Sequence, residues 1–176
     1  MNEYVQVLEP GVIQIQRLLD GPIERVWSYL VESDKRGQWL ASGDLEQWVG
    51  GKVIHEFQHS NLSEEPDEIP EKYCDLEGGE YMEGTVTKID PPRLLAYTWD
   101  ENATAHSEVT FELVEQDGKV LLTLTHRALP ESEFVPVSAG WHNHLDILAD
   151  RLAGRPTRAF WKTHMELEKE YEKRYK

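Results

Sequence analysis

Between Val12 and Leu19 apolar and polar side chains alternate, with Ile13 and Ile15 set against Gln14 and Gln16, the period of a strand with one buried face. At Asp20-Gly21-Pro22 the period changes. Proline suits the first helical position, and Ile23, Val26, Trp27 and Leu30 then recur at helical spacing. A second short helix is expected from Ser33 to about Ser42-Gly43, carrying Trp39 and Leu40. From Leu45 to Ala128, short runs separated by turn residues predict a meander, with strands near 45–49, 52–58, 80–90, 94–100, 106–115 and 119–128. Gly50-Gly51 and Gln116-Asp117-Gly118 permit the positive φ that tight hairpins require, and Pro91-Pro92 breaks a third pair. Val109, Phe111 and Leu113 share one strand face, as do Val120, Leu122, Leu124 and His126, so one side of the sheet needs a cover.

The cover is a helix over Ser138–Ala153, where Trp141, Leu145, Leu148 and Leu152 form a stripe at i, i+4, i+7 and i+11. Gly154 stops it. Pro156 opens an additional helix over 156–175 with its own stripe of Phe160, His164, Leu167 and Tyr171, and with Glu170/Arg174 and Glu172/Lys176 pairs one turn apart. The order predicts an α+β, helix-grip fold: a curved antiparallel sheet wrapped around a long C-terminal helix, with two short helices after the first strand. A chain of 176 residues with 39% hydrophobic composition is the size of one domain, expected to span 1–176. Residues 60–79 hold Glu64, Glu65, Asp67, Glu68, Glu71, Asp75 and Glu77 with two prolines, and are expected to be a solvated, mobile acidic loop. Its carboxylates do not fall at the alternating positions of a calcium-binding loop.

A formal charge of −15 argues against nucleic acid and against anionic membranes, because both need clustered Lys and Arg. The charge is uneven: residues 1–153 hold 11 Lys+Arg against 29 Asp+Glu, and residues 154–176 hold 7 against 4. The terminal segment is thus a basic element on an acidic body, able to dock on its own domain or to build a homodimer with a second copy. No apolar run is long enough for a membrane helix and Met1 to Pro10 lacks a signal-peptide layout, so a cytoplasmic location is expected. Cys74, alone among acidic neighbours, reads as an incidental thiol.

Several short motifs carry a resemblance: Pro22-Ile23-Glu24-Arg25-Val26-Trp27, Trp39, Gly50-Gly51-Lys52, Pro91-Pro92-Arg93-Leu94-Leu95-Ala96-Tyr97-Thr98-Trp99, Leu122-Thr123-Leu124-Thr125-His126 and Gly140-Trp141 through Leu152. In order and spacing they resemble the START-like SRPBCC superfamily, and within it the C-terminal domain of the heat-shock-protein-90 ATPase activator. The resemblance covers roughly residues 11–154. It implies the helix-grip fold, and it implies a space between sheet and helix in which relatives hold lipids, polyketides or phenolics and in which others are enzymes. The acidic loop and the basic terminal helix depart from the family pattern, and no counterpart of the activator's separate N-terminal domain is expected within these 176 residues.

His55-Glu56-Phe57-Gln58-His59 matches the H-E-x-x-H pattern of zinc proteases, which works only on a helix that brings both imidazoles to one face. Here it follows Gly50-Gly51 and Val53-Ile54, which predicts a strand; there the two side chains stand roughly 13 Å apart, too far for one zinc ion. No metal ligands are expected. His142-Asn143-His144 is no chelate either, since residues two apart on a helix face different ways. His144 lies on the apolar stripe with Trp141 and Leu148, and His126 lies on an inward strand face; each is a satisfied core histidine or a polar contact in an apolar pocket. The expected lining is Tyr97, Trp99, Phe111, Leu124 and His126 from the strands, with Trp141, His144, Leu145 and Leu148 from the helix. His142 is expected on the opposite face, without effect on binding. No phosphate loop, dinucleotide fingerprint or G-x-S-x-G motif appears, so no cofactor and no catalytic residue is assigned. The expected function is binding of a hydrophobic or aromatic small molecule between sheet and helix. The alternatives are a cyclase- or hydrolase-like enzyme using His126, His144 or Tyr97 as acid or base, and a ligand-free, cochaperone-like interaction domain.

Overall fold

The computed structural model describes residues 3–102 and 106–176. The chain runs β1 (Gln6–Glu9), β2 (Val12–Asp20), α1 (Ile23–Val31), α2 (Ser33–Arg36), β3 (Lys52–Phe57), β4 (Glu80–Asp90), β5 (Leu94–Trp99), β6 (Ser107–Gln116), β7 (Lys119–Arg127), α3 (Phe134–Ala153) and α4 (Phe160–Arg174). The seven strands form one antiparallel sheet in the order β1-β2-β7-β6-β5-β4-β3, so β2 pairs with β7 and the first helices are an excursion from one half of the sheet to the other. This is the helix-grip arrangement.

The inward face follows from alternation. Ile15 stands opposite Leu124, which stands opposite Phe111, which stands opposite Leu95, giving a continuous apolar row across four strands. All four are at most 2% exposed. α3 lies on this face with Trp141, Leu145, Leu148 and Leu152 buried, and Gly154 ends it in the left-handed conformation at φ 69°. Arg17 on β2 binds Asp146 of α3 at 2.8 Å and ties the helix to the sheet. α1 buries Ile23, Val26, Trp27 and Leu30 as its spacing predicts.

Five expectations need correction. No strand forms over 45–49; Ser42 and Leu45 make isolated bridges to Glu56 and Val53. The second helix stops at Arg36 instead of reaching Ser42-Gly43, because the fully buried Arg36 guanidinium turns back to the carbonyls of Ala41, Gly43 and Ile54 at 2.6–2.9 Å. A buried cation bonded through Nε and Nη2 to backbone carbonyls holds an irregular segment that no period in the sequence describes. α3 starts one turn early, at Phe134, where Pro136 removes an amide that the first turn leaves without an intrahelical partner. α4 starts late, at Phe160, and its Trp161 amide donates to Asp67 of the acidic loop at 2.8 Å. That loop is therefore not simply solvated. It folds into 3-10 turns at His59–Leu62 and Glu71–Leu76, and Lys72 and Tyr73 both bond Glu168 of α4.

Candidate functional site

A cavity of about 600 Å³ opens toward one end of the sheet. Phe57 of β3, Met82 of β4 and Trp99 of β5 line it from the sheet, and Val137, Gly140, Trp141 and His144 line it from α3. Phe160, Trp161 and His164 of α4, with Tyr73 and Leu76 of the acidic loop, form a further wall, and the connection from Leu129 to Glu133 lines the cavity as well. Gly140 explains part of the space: it sits in the middle of α3 beside Trp141, and a Cβ there would meet nothing within 4 Å. The volume lies in the range of small-molecule pockets.

Of the nine residues expected to line the pocket, Trp99, Trp141 and His144 do so. Tyr97, Phe111, Leu124, His126, Leu145 and Leu148 are at most 1% exposed and pack in the core instead. Alternation identified their face, but that face extends beyond the cavity, and there Leu145 and Leu148 of α3 close the gap to the sheet. The lining missed by the sequence reading comes from the sheet, from the connection into α3 and its first turns, and from α4 and the loop. The stripe of Phe160 and His164 was visible, but nothing local told that it would meet the loop at Tyr73.

Hydrogen bonding fixes how the histidines can act. The Trp141 indole donates Nε1–H to His126 Nδ1 at 3.0 Å, so the proton of the neutral ring sits on Nε2 and is donated to Ser107 Oγ at 2.8 Å. Burial pushes the His126 pKa down to about 4, which keeps that neutral form at pH 7. Ser107 lines the cavity beside this pair. Its oxygen accepts from histidine, so the imidazole has no lone pair with which to deprotonate it, and a serine nucleophile activated by His126 is ruled out. His144 donates Nδ1–H to the Trp39 carbonyl at 2.7 Å and is pushed down to about 3 by burial, with His59 adding to the shift. Its Nε2 is then a lone pair, an acceptor rather than an acid. Tyr97 touches His55 Nε2 at 3.3 Å in the core, and burial raises its phenol pKa. Among the three acid–base candidates, His144 alone reaches the cavity.

The H-E-x-x-H segment divides. His55 lies on β3 as the turn and strand pattern predicts, but His59 begins a 3-10 turn instead of continuing the strand. Their rings sandwich Phe57, with centroids 5.7 and 5.2 Å from it. Among the described residues no group of three or more His, Cys, Asp or Glu is arranged to hold a metal ion. His142 lies outside the cavity lining. It does face away from His144, yet it is buried, accepting through Nδ1 from the Tyr171 hydroxyl at 2.8 Å. That hydroxyl accepts in turn from the Val5 amide at 2.9 Å.

Beside the cavity, Glu168 gathers hydrogen bonds from Lys72, Tyr73 and His164. Burial works to raise its carboxyl pKa, but those bonds and the neighbouring charges outweigh it and the pKa is lowered. An anchored anion thus fastens α4 to the loop, and both elements are walls of the cavity.

Comparison with known proteins agrees with this architecture. No curated protein matches the sequence. The solution structure of a protein encoded by a Bordetella parapertussis gene is 41% identical, with a TM-score of 0.80, covering 95% of this chain and 87% of that one. A crystal structure of a protein of the dynemicin biosynthetic locus aligns at 19% identity and a TM-score of 0.64 over 86% of this chain and 51% of that one. The Aha1 dimer from Colwellia psychrerythraea aligns at 18% identity and a TM-score of 0.60 over 80% of this chain and 95% of that one. The last two likenesses carry the fold alone. Among the described residues no helix is long and apolar enough to cross a membrane. Residues 20–153 match the family described as activator of Hsp90 ATPase homolog 1-like protein, and the chain belongs to that family.

Proposed function

We propose that this protein is a cytoplasmic binding domain for a small aromatic or hydrophobic molecule held between the sheet, α3 and α4. The observation that carries the reading is the cavity itself: about 600 Å³ walled by Trp99, Trp141, Trp161, Phe57 and Phe160. An interior left open among so many large rings forgoes dispersion contacts that a flat ligand would supply. The neutral, hydrogen-bonded state of His126 and His144 supports binding over acid–base chemistry. The likeness to a protein of the dynemicin biosynthetic locus is in keeping with a small-molecule role.

The ligand-free, cochaperone-like reading rests on the Aha1 likeness and would need no cavity. Native mass spectrometry of freshly purified protein separates the two. A retained small molecule, or saturable quenching of tryptophan fluorescence by an aromatic compound, is expected. A broad screen of lipids and aromatics without a saturable binder would hand the assignment to the interaction domain. A homodimer through α4 would have to use its exposed lysines, Lys162, Lys169 and Lys173, against the acidic body of a second copy, because Phe160 and Tyr171 are already buried on the protein's own core. Light scattering at low and high salt reads that pairing as a mass that falls as salt rises.

A further inference from the structure

The charged groups around the cavity are of one sign. Glu80, Asp100 and Glu133 line it, and no lysine or arginine among the described residues does. Glu80 is half-buried at the start of β4 and makes no ion pair with any described residue. Burial raises its carboxyl pKa, and the nearby Asp100 and Asp75 push the same way. The cavity histidines add lone pairs rather than positive charge. His144 presents Nε2 as an acceptor, because its Nδ1–H is given to the Trp39 carbonyl. His164 gives its Nε2–H to Glu168 at 3.0 Å, and its Nδ1 is left with no partner in a residue only 6% exposed. A cavity lined by aromatic faces, carboxylates and unpaired histidine acceptors, with donors only from neutral groups such as the unpartnered Trp161 indole, lacks positive charge. A ligand must bring it.

We propose that the cavity takes an aromatic amine bound as its ammonium cation, with the ring among Trp99, Trp141 and Trp161 and the ammonium directed toward Glu80. The inference rests on the binding function proposed above and deepens it by giving the ligand a charge. Aromatic faces attract an ammonium through their quadrupoles, and more strongly where water is excluded. The same lining repels a fatty acid or an aromatic carboxylate, whose charge would be desolvated beside three carboxylates with no counter-ion.

The test is calorimetric titration with three probes of one ring and different charge: 2-naphthylmethylamine, 2-naphthylmethanol and 2-naphthoate, at pH 7.5 and physiological salt. The amine should bind about tenfold more tightly than the alcohol, and the carboxylate should give no measurable heat. Glu80→Gln should bring the amine to within about threefold of the alcohol while leaving the alcohol unchanged. Glu115→Gln, an exposed change on β6 outside the cavity, should alter nothing and so separates the site from the general attraction of an acidic protein for cations. Asp100→Asn serves as a second variant and should also reduce the preference for the amine. Equal or tighter binding of the alcohol or carboxylate overturns the inference and leaves the binding function standing, as does an amine preference that survives both cavity substitutions. Failure of all three probes to bind counts against both.

Discussion

Whether a histidine can serve as a base depends on which nitrogen holds the proton, and in this protein the neighbours decide it for each ring. Trp141 occupies Nδ1 of His126 and the Trp39 carbonyl occupies Nδ1 of His144, so one ring donates to Ser107 and the other offers a lone pair. The periods in the sequence placed both histidines on inward faces but contained nothing about their partners, since Trp39 lies 105 positions from His144. Replacing Trp141 with Phe keeps an aromatic side chain, smaller than the indole, and removes the donor. The fully buried His126 is then left with an unsatisfied nitrogen, which should lower stability by about 1–3 kcal/mol in urea denaturation. No change would mean that the bond contributes nothing. Gly140 offers the opposite experiment. It faces open space from the interior of a helix, so Gly140→Leu should raise stability by about 1 kcal/mol through helix propensity. The same side chain enters the cavity, and binding of a naphthyl probe should weaken by tenfold or more. Wild-type affinity in that variant would show that the ligand lies elsewhere.

At the scale of elements, α4 is both a packing helix and a wall of the site. Its stripe was legible: Phe160 and Tyr171 are at most 2% exposed, and Leu167 packs against the core. Its start was not, because Asp67, 94 positions away, receives the Trp161 amide and no local signal marks that partner. The irregular path after α2 has a similar origin, since buried Arg36 holds the carbonyls of Ala41 and Gly43 together with that of Ile54 on β3. Truncation after Gly154 exposes the contacts of Phe160, Trp161 and Tyr171, each worth about 1.5–3 kcal/mol of burial. A large fall in melting temperature and loss of naphthyl binding are expected; an unchanged melting temperature would mark α4 as a dispensable tail. A finer cut is Tyr171→Phe, which leaves the packing and removes the hydroxyl between the Val5 amide and His142. It should cost about 1–3 kcal/mol, and an unaltered urea midpoint would contradict the network.

For the whole molecule, topology was the most legible feature, since alternation on β2, β6 and β7 and the stripe on α3 define one sheet and its cover. The position of the cavity along that sheet was the least legible, because it depends on where side chains fail to fill space. Burial has a collective electrostatic consequence. His59, His126 and His142 are pushed down to about 4 and His144 to about 3, chiefly by desolvation, and His55 and His164 are lowered as well. Above pH 6.5 these rings are neutral in both folded and unfolded chains, and their shifts do not weaken the fold. As pH falls from about 6.5 toward 4, the unfolded chain takes up protons that the folded one refuses, so stability falls by up to about 1.4 kcal/mol per pH unit for each histidine. The urea midpoint should therefore drop steeply between pH 7 and pH 5; a flat profile would refute the buried, neutral state of the rings. The cavity itself is tested most directly by the indole N–H signals of the six tryptophans, followed by ¹H–¹⁵N NMR during titration with 2-naphthylmethylamine. Trp99, Trp141 and Trp161 line the cavity, whereas Trp27 and Trp39 are buried elsewhere and Trp48 is exposed. The account predicts saturable shifts of the first three signals with the other three unmoved, and shifts at Trp48 alone, or none at saturating ligand, would contradict it.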